Sequence, residues 1–298
     1  MFSLRPASID IGSHSVLLNI AAWDEVNGLA RLVPKVQKSQ ILRLGGELHQ
    51  NNAISELLLE EVRKALLGYR QDIYALGANL QKVVLTQAAR MAENYQELLD
   101  LVESVLQTKA EILSGEEEAL YTWRGVQNWH GQDLVSIDIG GGSTEFCDGI
   151  NYLSVPIGAL QMRQEMGEIP GLEYKKWSQK IFKTIDLKPF RKKEVFFVGG
   201  SAVALAMLQQ NMSQHNWQEL EGLTLEPEDL TRNIQRITDV SKELRPHLPG
   251  LADGRSEVII CGLYWMRSIV ERLRLKQFKI STLGLRYGVL LDGKNAIK

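Results

Sequence analysis

The sequence predicts an α/β protein made of two similar halves, and three features carry that expectation. The pentapeptide SIDIG occurs at residues 8–12 and again at 136–140, each time leaving an apolar strand for small residues that end on serine. Short apolar segments alternate with amphipathic helical patterns along the chain. A length of 298 residues with 44% hydrophobic content exceeds the usual size of one domain and can bury a large core. Five residues of a common strand–turn pattern can recur by chance, but a repeat at domain scale suggests two glycine turns facing each other across a cleft.

Taken in order, residues 7–11 and 16–23 read as two strands of a hairpin closed by the turn at 12–15. Ile54, Leu57, Leu58, Val62, Ala65, Leu66 and Tyr69 recur at helical spacing, which predicts an amphipathic helix over 53–69. A short buried strand is expected at 82–85. A helix over 94–107 follows, with Tyr95, Leu98, Leu99, Val102, Val105 and Leu106 inward, and then a strand at 110–113. Ser114 and Glu117 fit a capping box at the start of the next helix. After the second glycine turn come a strand at 152–156, a helix at 175–185 and a strand at 194–198 that ends on Gly199 and Gly200. Residues 211–250 are polar and punctuated by Pro227, Pro246 and Pro249, as suits short helices. A long helix over 256–274 and a last strand at 278–281 complete the chain.

A net charge of −2 and a pI near 6.3 give no global attraction to nucleic acid or anionic membranes, so any anion must be captured locally. Cys147 and Cys261 lack metal-ligand spacing and read as reduced core residues. No stretch is apolar enough for a signal peptide or a membrane span, which predicts a soluble cytoplasmic protein.

Residues 134–146, LVSIDIGGGSTEF, hold the strongest chemical signal. Gly140, Gly141 and Gly142 can take positive φ at little steric cost, so that successive N–H groups converge on one anion, and Ser143 and Thr144 add hydroxyl donors. Asp138 at the mouth of the turn suits a hard cation, with Asp10 as its counterpart in the first copy, and Glu145 is a further acid. The same glycines also suit an ordinary tight hairpin. The segment is not a Walker loop, because no Gly-Lys-Ser/Thr follows.

Beyond that turn, Glu118 can face the cleft and position an attacking water, although a helix N-terminus should lower its basicity. Arg90, beyond the strand at 82–85, can grip phosphate bidentately or pair with Glu93 or Glu97. His14 lies inside the first turn, whereas His49, His130, His215 and His247 lie in polar segments and read as solvated. The cluster Arg191, Lys192 and Lys193, with Lys175, Lys176, Lys180 and Lys183, reads more readily as a solvated face than as a polyanion guide.

Together, IDIGSHS, TQAARMAEN, ILSGEEEA, SIDIGGGSTEF, VPIGALQM, FVGGSAVALA, GRSEVIICG and STLGLRYGVLL resemble, in order and over almost the whole chain, the exopolyphosphatase and guanosine pentaphosphate phosphohydrolase family. The resemblance implies two actin-like (ribonuclease H-like) domains with mixed sheets flanked by helices and an active site in the cleft between them. Residues 1–122, joined by 289–298, would form the first domain and 123–288 the second. It implies Glu118 as the catalytic carboxylate and Glu145 as a further active-site acid. Magnesium, or alternatively manganese, would be served by Asp138 and Asp10. Ser13, His14, Arg90 and the second turn from Gly140 to Thr144 would bind phosphate.

The implied substrate is inorganic polyphosphate or guanosine pentaphosphate, with no nucleic acid or membrane partner and a homodimer left open. The C-terminal helical domain of longer relatives is expected to be absent. His14, Leu17 and Gln87 depart from the asparagine, arginine and serine common at these places in the family, which leaves a non-catalytic sensor as the contrasting expectation.

Overall fold

The computed structural model describes residues 5–26, 28–168, 171–191, 193–251 and 254–292. Its first half holds β1 (Arg5–Ile11), β2 (Ser15–Val26), β3 (Leu29–Ile41), α1 (Leu44–Asn51), α2 (Glu56–Ala75), β4 (Ala78–Leu85), α3 (Gln87–Met91), α4 (Tyr95–Leu106) and β5 (Ala110–Ile112). The helix α5 (Gly115–His130) follows. The second half holds β6 (Leu134–Ile139), β7 (Thr144–Cys147), β8 (Tyr152–Val155), α6 (Ala159–Met166), α7 (Gly171–Ile181), β9 (Glu194–Val198) and α8 (Gly200–Gln209). It continues through α9 (Trp217–Leu220), β10 (Thr224–Leu225), α10 (Pro227–Thr238), α11 (Ile259–Leu273), β11 (Phe278–Ile280) and α12 (Leu285–Gly288).

The duplication expected from SIDIG extends to topology. One sheet runs β3-β2-β1-β4-β5 and the other β10-β11-β9-β6-β7-β8, so each places its hairpin next to a parallel strand from later in the same half. Both hairpins close in the same way. Gly12 N–H donates to the Ser15 carbonyl at 2.9 Å and Gly140 N–H to the Ser143 carbonyl at 3.0 Å. Asp10 stands opposite Leu17 in the first register and Asp138 opposite Glu145 in the second.

Several sequence expectations shift for identifiable reasons. The strand β3 was not anticipated, because Pro34 interrupts a charged edge segment; it pairs with Ala21 where the ladder shifts register, a position that tolerates the missing N–H. Leu57 is 73% exposed, since its helical row continues through Glu61 and Lys64 instead of the buried row of Leu58, Val62 and Leu66. Tyr95 is 44% exposed and Leu101 takes an inward place on α4. The helix expected at 175–185 begins a turn earlier, because buried Tyr174 must lie inside it. The segment 211–250 contains the short strand β10 and the 12-residue helix α10 as well as shorter helical turns. His130 is not solvated: it contacts Glu221 at 2.8 Å and stacks on Phe196.

Lys175, Lys176 and Lys193 are paired with Glu271, Glu173 and Asp148, as suits a surface charge network. Cys147 and Cys261 are buried and unbridged, as expected. Lys192, the side chain of His49 and the end of the 289–298 segment lie outside the described residues. The described part of that segment packs against the first sheet, with Val289 beside Val84 and Leu290 beside Ala21 and Leu32. The boundary expected after residue 122 falls inside α5, which is continuous across it.

The junction of the halves rests on two glycines. A Cβ on Gly288 would come within 1.8 Å of the Tyr121 carbonyl oxygen, and one on Gly125 within 2.4 Å of that of Leu283. Bare backbone therefore lets α12 lie against α5. That seating brings Arg286 back to the first sheet, where its backbone carbonyl accepts from Ser8 Oγ and its guanidinium donates to the Lys38 carbonyl at 3.1 Å. Gly288→Ala should therefore lose about 3 kcal/mol of stability through overpacking against backbone that cannot retreat. Urea unfolding should show the lower midpoint, while an alanine at half-buried Gly68, where a Cβ meets nothing within 4 Å, should not reproduce it.

Candidate active site

The two glycine turns meet across a cavity of about 360 Å³ whose lining includes Asp10, Ser13, His14, Glu118, Asp138 and Ser143. Asp10 and Asp138 end the central strands of their sheets, so the parallel neighbours β4 and β9 deliver further groups to the same rim. Close backbone approach fixes this arrangement. A Cβ on Gly199, which also holds φ at +91°, would reach within 2.6 Å of Asp138 Oδ1, and one on Gly158 within 2.3 Å of the Gly141–Gly142 peptide.

The glycine turn differs from its sequence expectation in one respect. Gly140, Gly141 and Gly142 do not occupy positive φ. Their smallness is needed for contact instead: a Cβ on Gly141 would lie 2.9 Å from His14 Cβ, and one on Gly142 only 1.5 Å from Gln87 Oε1. The Gly140 N–H is committed to closing the hairpin. Thr144 is likewise not an anion donor. Fully buried, its hydroxyl donates to the Ile157 carbonyl at 2.6 Å and accepts from Trp265 Nε1 at 3.0 Å, which ties β7 to α11. Gly141, Gly142 and Ser143 remain on the cavity wall.

Glu118 is placed by the cap of α5. Ser114 Oγ accepts from Glu117 N–H at 3.2 Å while the Glu117 carboxylate accepts from Ser114 N–H at 2.8 Å, so the predicted capping box is formed and Glu118 is released inward. Gly115 lets the helix start press on β8, since a Cβ there would lie 2.6 Å from Ser154 Oγ. Ser154 Oγ in turn donates to Glu145 at 2.9 Å. Arg90 pairs with Glu118 at 3.2 Å and donates to the Leu113 carbonyl, so it joins the site instead of pairing with Glu93 or Glu97.

Four carboxylates thus share a desolvated volume. Burial pushes Asp10 up to about 8, with Glu118 and Asp138 adding to the rise and Arg286 opposing it. Burial lifts Glu118 to about 7 despite Arg90, with Asp138 adding to the effect; the helix N-terminus does not leave it a weak base. Asp138 rises to about 6 through burial, tempered by the Thr122 hydroxyl 3.4 Å away. Glu145 is raised well above its ordinary range by burial and then by Glu118 and Asp138.

Such a set is relieved by protonation or by a compensating cation. Asp10 Oδ1 is buried with no hydrogen-bond partner among the described residues, an acceptor of the type a hard ion uses. No three or more His, Cys, Asp and Glu among the described residues form a ready-made cage. The donors therefore fit an ion that takes one or two carboxylates and completes its shell with water and phosphate oxygens, a habit of magnesium.

Residues missed in the sequence complete the wall. Arg255, Arg286 and His215 line the cavity; His215 is exposed, as expected, and borders the cleft at the same time. The two arginines lie within quoted motifs, but nothing in their spacing marked them as facing the acids. His14 is held down to about 4 by burial and then by Arg43 and Arg255, and its Nε2 is buried with no partner among the described residues. It is neutral at pH 7 and free to bond an anion. Because the unfolded chain protonates this imidazole near 6.5 and the folded one near 4, its contribution is present above 6.5 and is lost as pH falls toward 4. In phosphate-free buffer, His14→Asn should flatten the decline of stability across that window by up to about one proton equivalent, read from urea midpoints against pH.

The comparisons with known proteins agree with this architecture. Exopolyphosphatase 2 of Mycobacterium tuberculosis is 26% identical over 97% of this chain and 97% of its own length. A bifunctional 3-dehydroquinate synthase/phosphatase of Fusobacterium nucleatum is 24% identical over 96% of this chain, which spans 46% of that longer protein. The crystal structure of the Aquifex aeolicus member of the Ppx/GppA family has a TM-score of 0.78 at 25% identity, covering 97% of this chain and 96% of that one. An exopolyphosphatase from Cytophaga hutchinsonii shares the fold, with a TM-score of 0.81 at 20% identity and 96% of each chain covered. The fold is the two-domain actin-like one, with mixed sheets flanked by helices. The pattern of the Ppx/GppA phosphatase family matches residues 24–295, and the chain belongs to that family.

Proposed function

We propose that the protein is an exopolyphosphatase that removes the terminal phosphate of inorganic polyphosphate by water attack in the cleft. The observation that supports this most is the convergence of Glu118, Asp138 and Asp10 between two opposed hairpin turns, with Arg90 paired to Glu118. Phosphoryl transfer through a loose transition state needs orientation and charge neutralisation more than a strong base.

Each residue then has a definable task. Ser143 and the backbone of Ser13, Gly141 and Gly142 hold the terminal phosphate, and neutral His14 donates to it without adding charge. Glu118 orients the water and takes its proton as the new P–O bond forms; the bond to the penultimate phosphate breaks and that phosphate leaves as an oxyanion. Arg90 holds Glu118 in place and offers charge to the departing chain. Glu145, fully buried behind Ser154 and absent from the cavity wall, sits close enough to Glu118 to be raised by its charge and supports the site from behind instead of by touching substrate. Magnesium, or manganese in its place, would be held by Asp138 and Asp10 and would neutralise phosphate oxygens.

A second reading, hydrolysis of guanosine pentaphosphate, has its own support. Beyond the acids the cavity wall includes Leu17, Leu160, Val203 and Ile259, an apolar surface that a nucleobase can cover. Gln37 on the same wall has both amide atoms buried and unpartnered, a pair suited to a base edge.

Phosphate release from medium-chain polyphosphate and from guanosine pentaphosphate, each with magnesium and with chelator, separates these readings. Turnover of the polymer at the higher kcat/KM, lost on chelation, is the expected result. Glu118→Gln should lower kcat by roughly a hundred- to ten-thousand-fold with the affinity retained. Binding of both compounds without release, unchanged in that variant, would identify a sensor and overturn the enzymatic reading.

A further inference from the structure

Gln87, the first residue of α3, bridges the two glycine turns. Its Oε1 accepts from Ser13 Oγ at 3.2 Å, and its Nε2 donates to the Gly142 carbonyl at 2.9 Å. A side chain of the first half therefore fastens a turn of the first half to a turn of the second. The contact is close enough that only glycine at position 142 admits it, because a Cβ there would overlap the amide.

The same amide divides the cleft. On one side lies the acid-lined cavity of about 360 Å³ with Glu118, Asp138 and Asp10. On the other lies an outer depression of about 340 Å³ formed by Arg90, Glu116, Tyr152, Ser154 and Pro156. Gln87 and Ser143 border both, so together they form the wall between them. Arg90 opens onto the outer depression while its guanidinium pairs with Glu118, which belongs to the inner cavity. Gln87 thus stands where a substrate that reaches from Glu118 past Arg90 would meet the amide.

We propose that Gln87 is a specificity-determining gate: its bridge between Ser13 and Gly142 favours short oligophosphates that fit within the inner cavity over polymers that must extend past Arg90. This deepens the exopolyphosphatase reading and rests on it. A short chain places its terminal phosphate at Glu118 and Asp138 with the bridge intact. A longer one must break both hydrogen bonds and exchange them for contacts to Arg90. Each bond of this type contributes little alone, but losing two together changes a rate constant measurably. The bridge acts on the substrate's path and not on the reacting atoms, so Gln87 should discriminate by chain length.

The test compares kcat/KM, per chain end, for tripolyphosphate and for polyphosphate of several hundred units, in the unmodified protein and in Gln87→Ser. The unmodified protein should favour tripolyphosphate, and Gln87→Ser should raise the long-to-short ratio by about tenfold, mainly through a lower KM for the polymer. A purely structural role would shift both substrates alike. A ratio that stays the same in a variant of normal melting temperature overturns the gate. Equal use of both chain lengths by the unmodified protein overturns it too, while leaving the exopolyphosphatase reading in place. Failure to hydrolyse either polyphosphate refutes that reading instead. Should Gln87→Ser not fold, Gln87→Asn retains the amide but shortens its reach by one methylene, and it must raise the ratio in the same direction.

Discussion

Asp10, Glu118, Asp138 and Glu145 cannot all be charged in the volume where the chain places them. Each is raised by burial, and neighbouring acids raise Asp10, Glu118 and Glu145 further, with Arg90 opposing the rise at Glu118 and Arg286 at Asp10. A concentration of desolvated negative charge costs stability unless something positive arrives. The rest of the cleft can be understood from that constraint. Gly199 and Gly284 let backbone close around Asp138, the capping box aims Glu118, and α12 presents Arg286. A polyanion alone would add to the repulsion, so substrate and cation are expected to enter together. Local charge, not the net value of −2, sets what the cleft accepts.

Duplication explains how two hairpins come to face one another, but the two copies do different work. In register, Leu17 stands across from Asp10 where Glu145 stands across from Asp138. The first turn has SHS where the second has GGS, so the side chains of Ser13 and His14 fill space that Gly141 and Gly142 leave open. The contact of His14 with Gly141 and of Gln87 with Gly142 follows directly: one turn is the knob and the other the hole. A symmetric pair of SHS turns would clash, and a symmetric pair of GGS turns would leave a void.

Much of this was legible in the sequence, and the reasons are specific. SIDIG announced both hairpins because a strand that ends on Asp-Ile-Gly has few ways to continue. Ser114 and Glu117 announced the start of α5 because capping is a local, three-residue interaction. The long buried helix α11 was legible because its apolar residues recur at every turn. What escaped was non-local. β3 is an edge strand whose pairing depends on β2 and not on its own pattern. Thr144 looks like a phosphate donor until its hydroxyl proton goes to the Ile157 carbonyl, while its oxygen accepts from Trp265, far along the chain. The three glycines suggested a left-handed nest, whereas the opposing turn sets their requirement by steric contact.

His14 shows how that distinction bears on chemistry. Its place inside the first turn suggests a phosphate donor, and an imidazole with an ordinary value near 6.5 can serve as one in either charge state. In the cleft, burial and then Arg43 and Arg255 hold it neutral at pH 7, with Nε2 buried and unpartnered. Positive charge at this rim therefore comes from arginines, which keep it at any working pH, and the histidine supplies direction without charge.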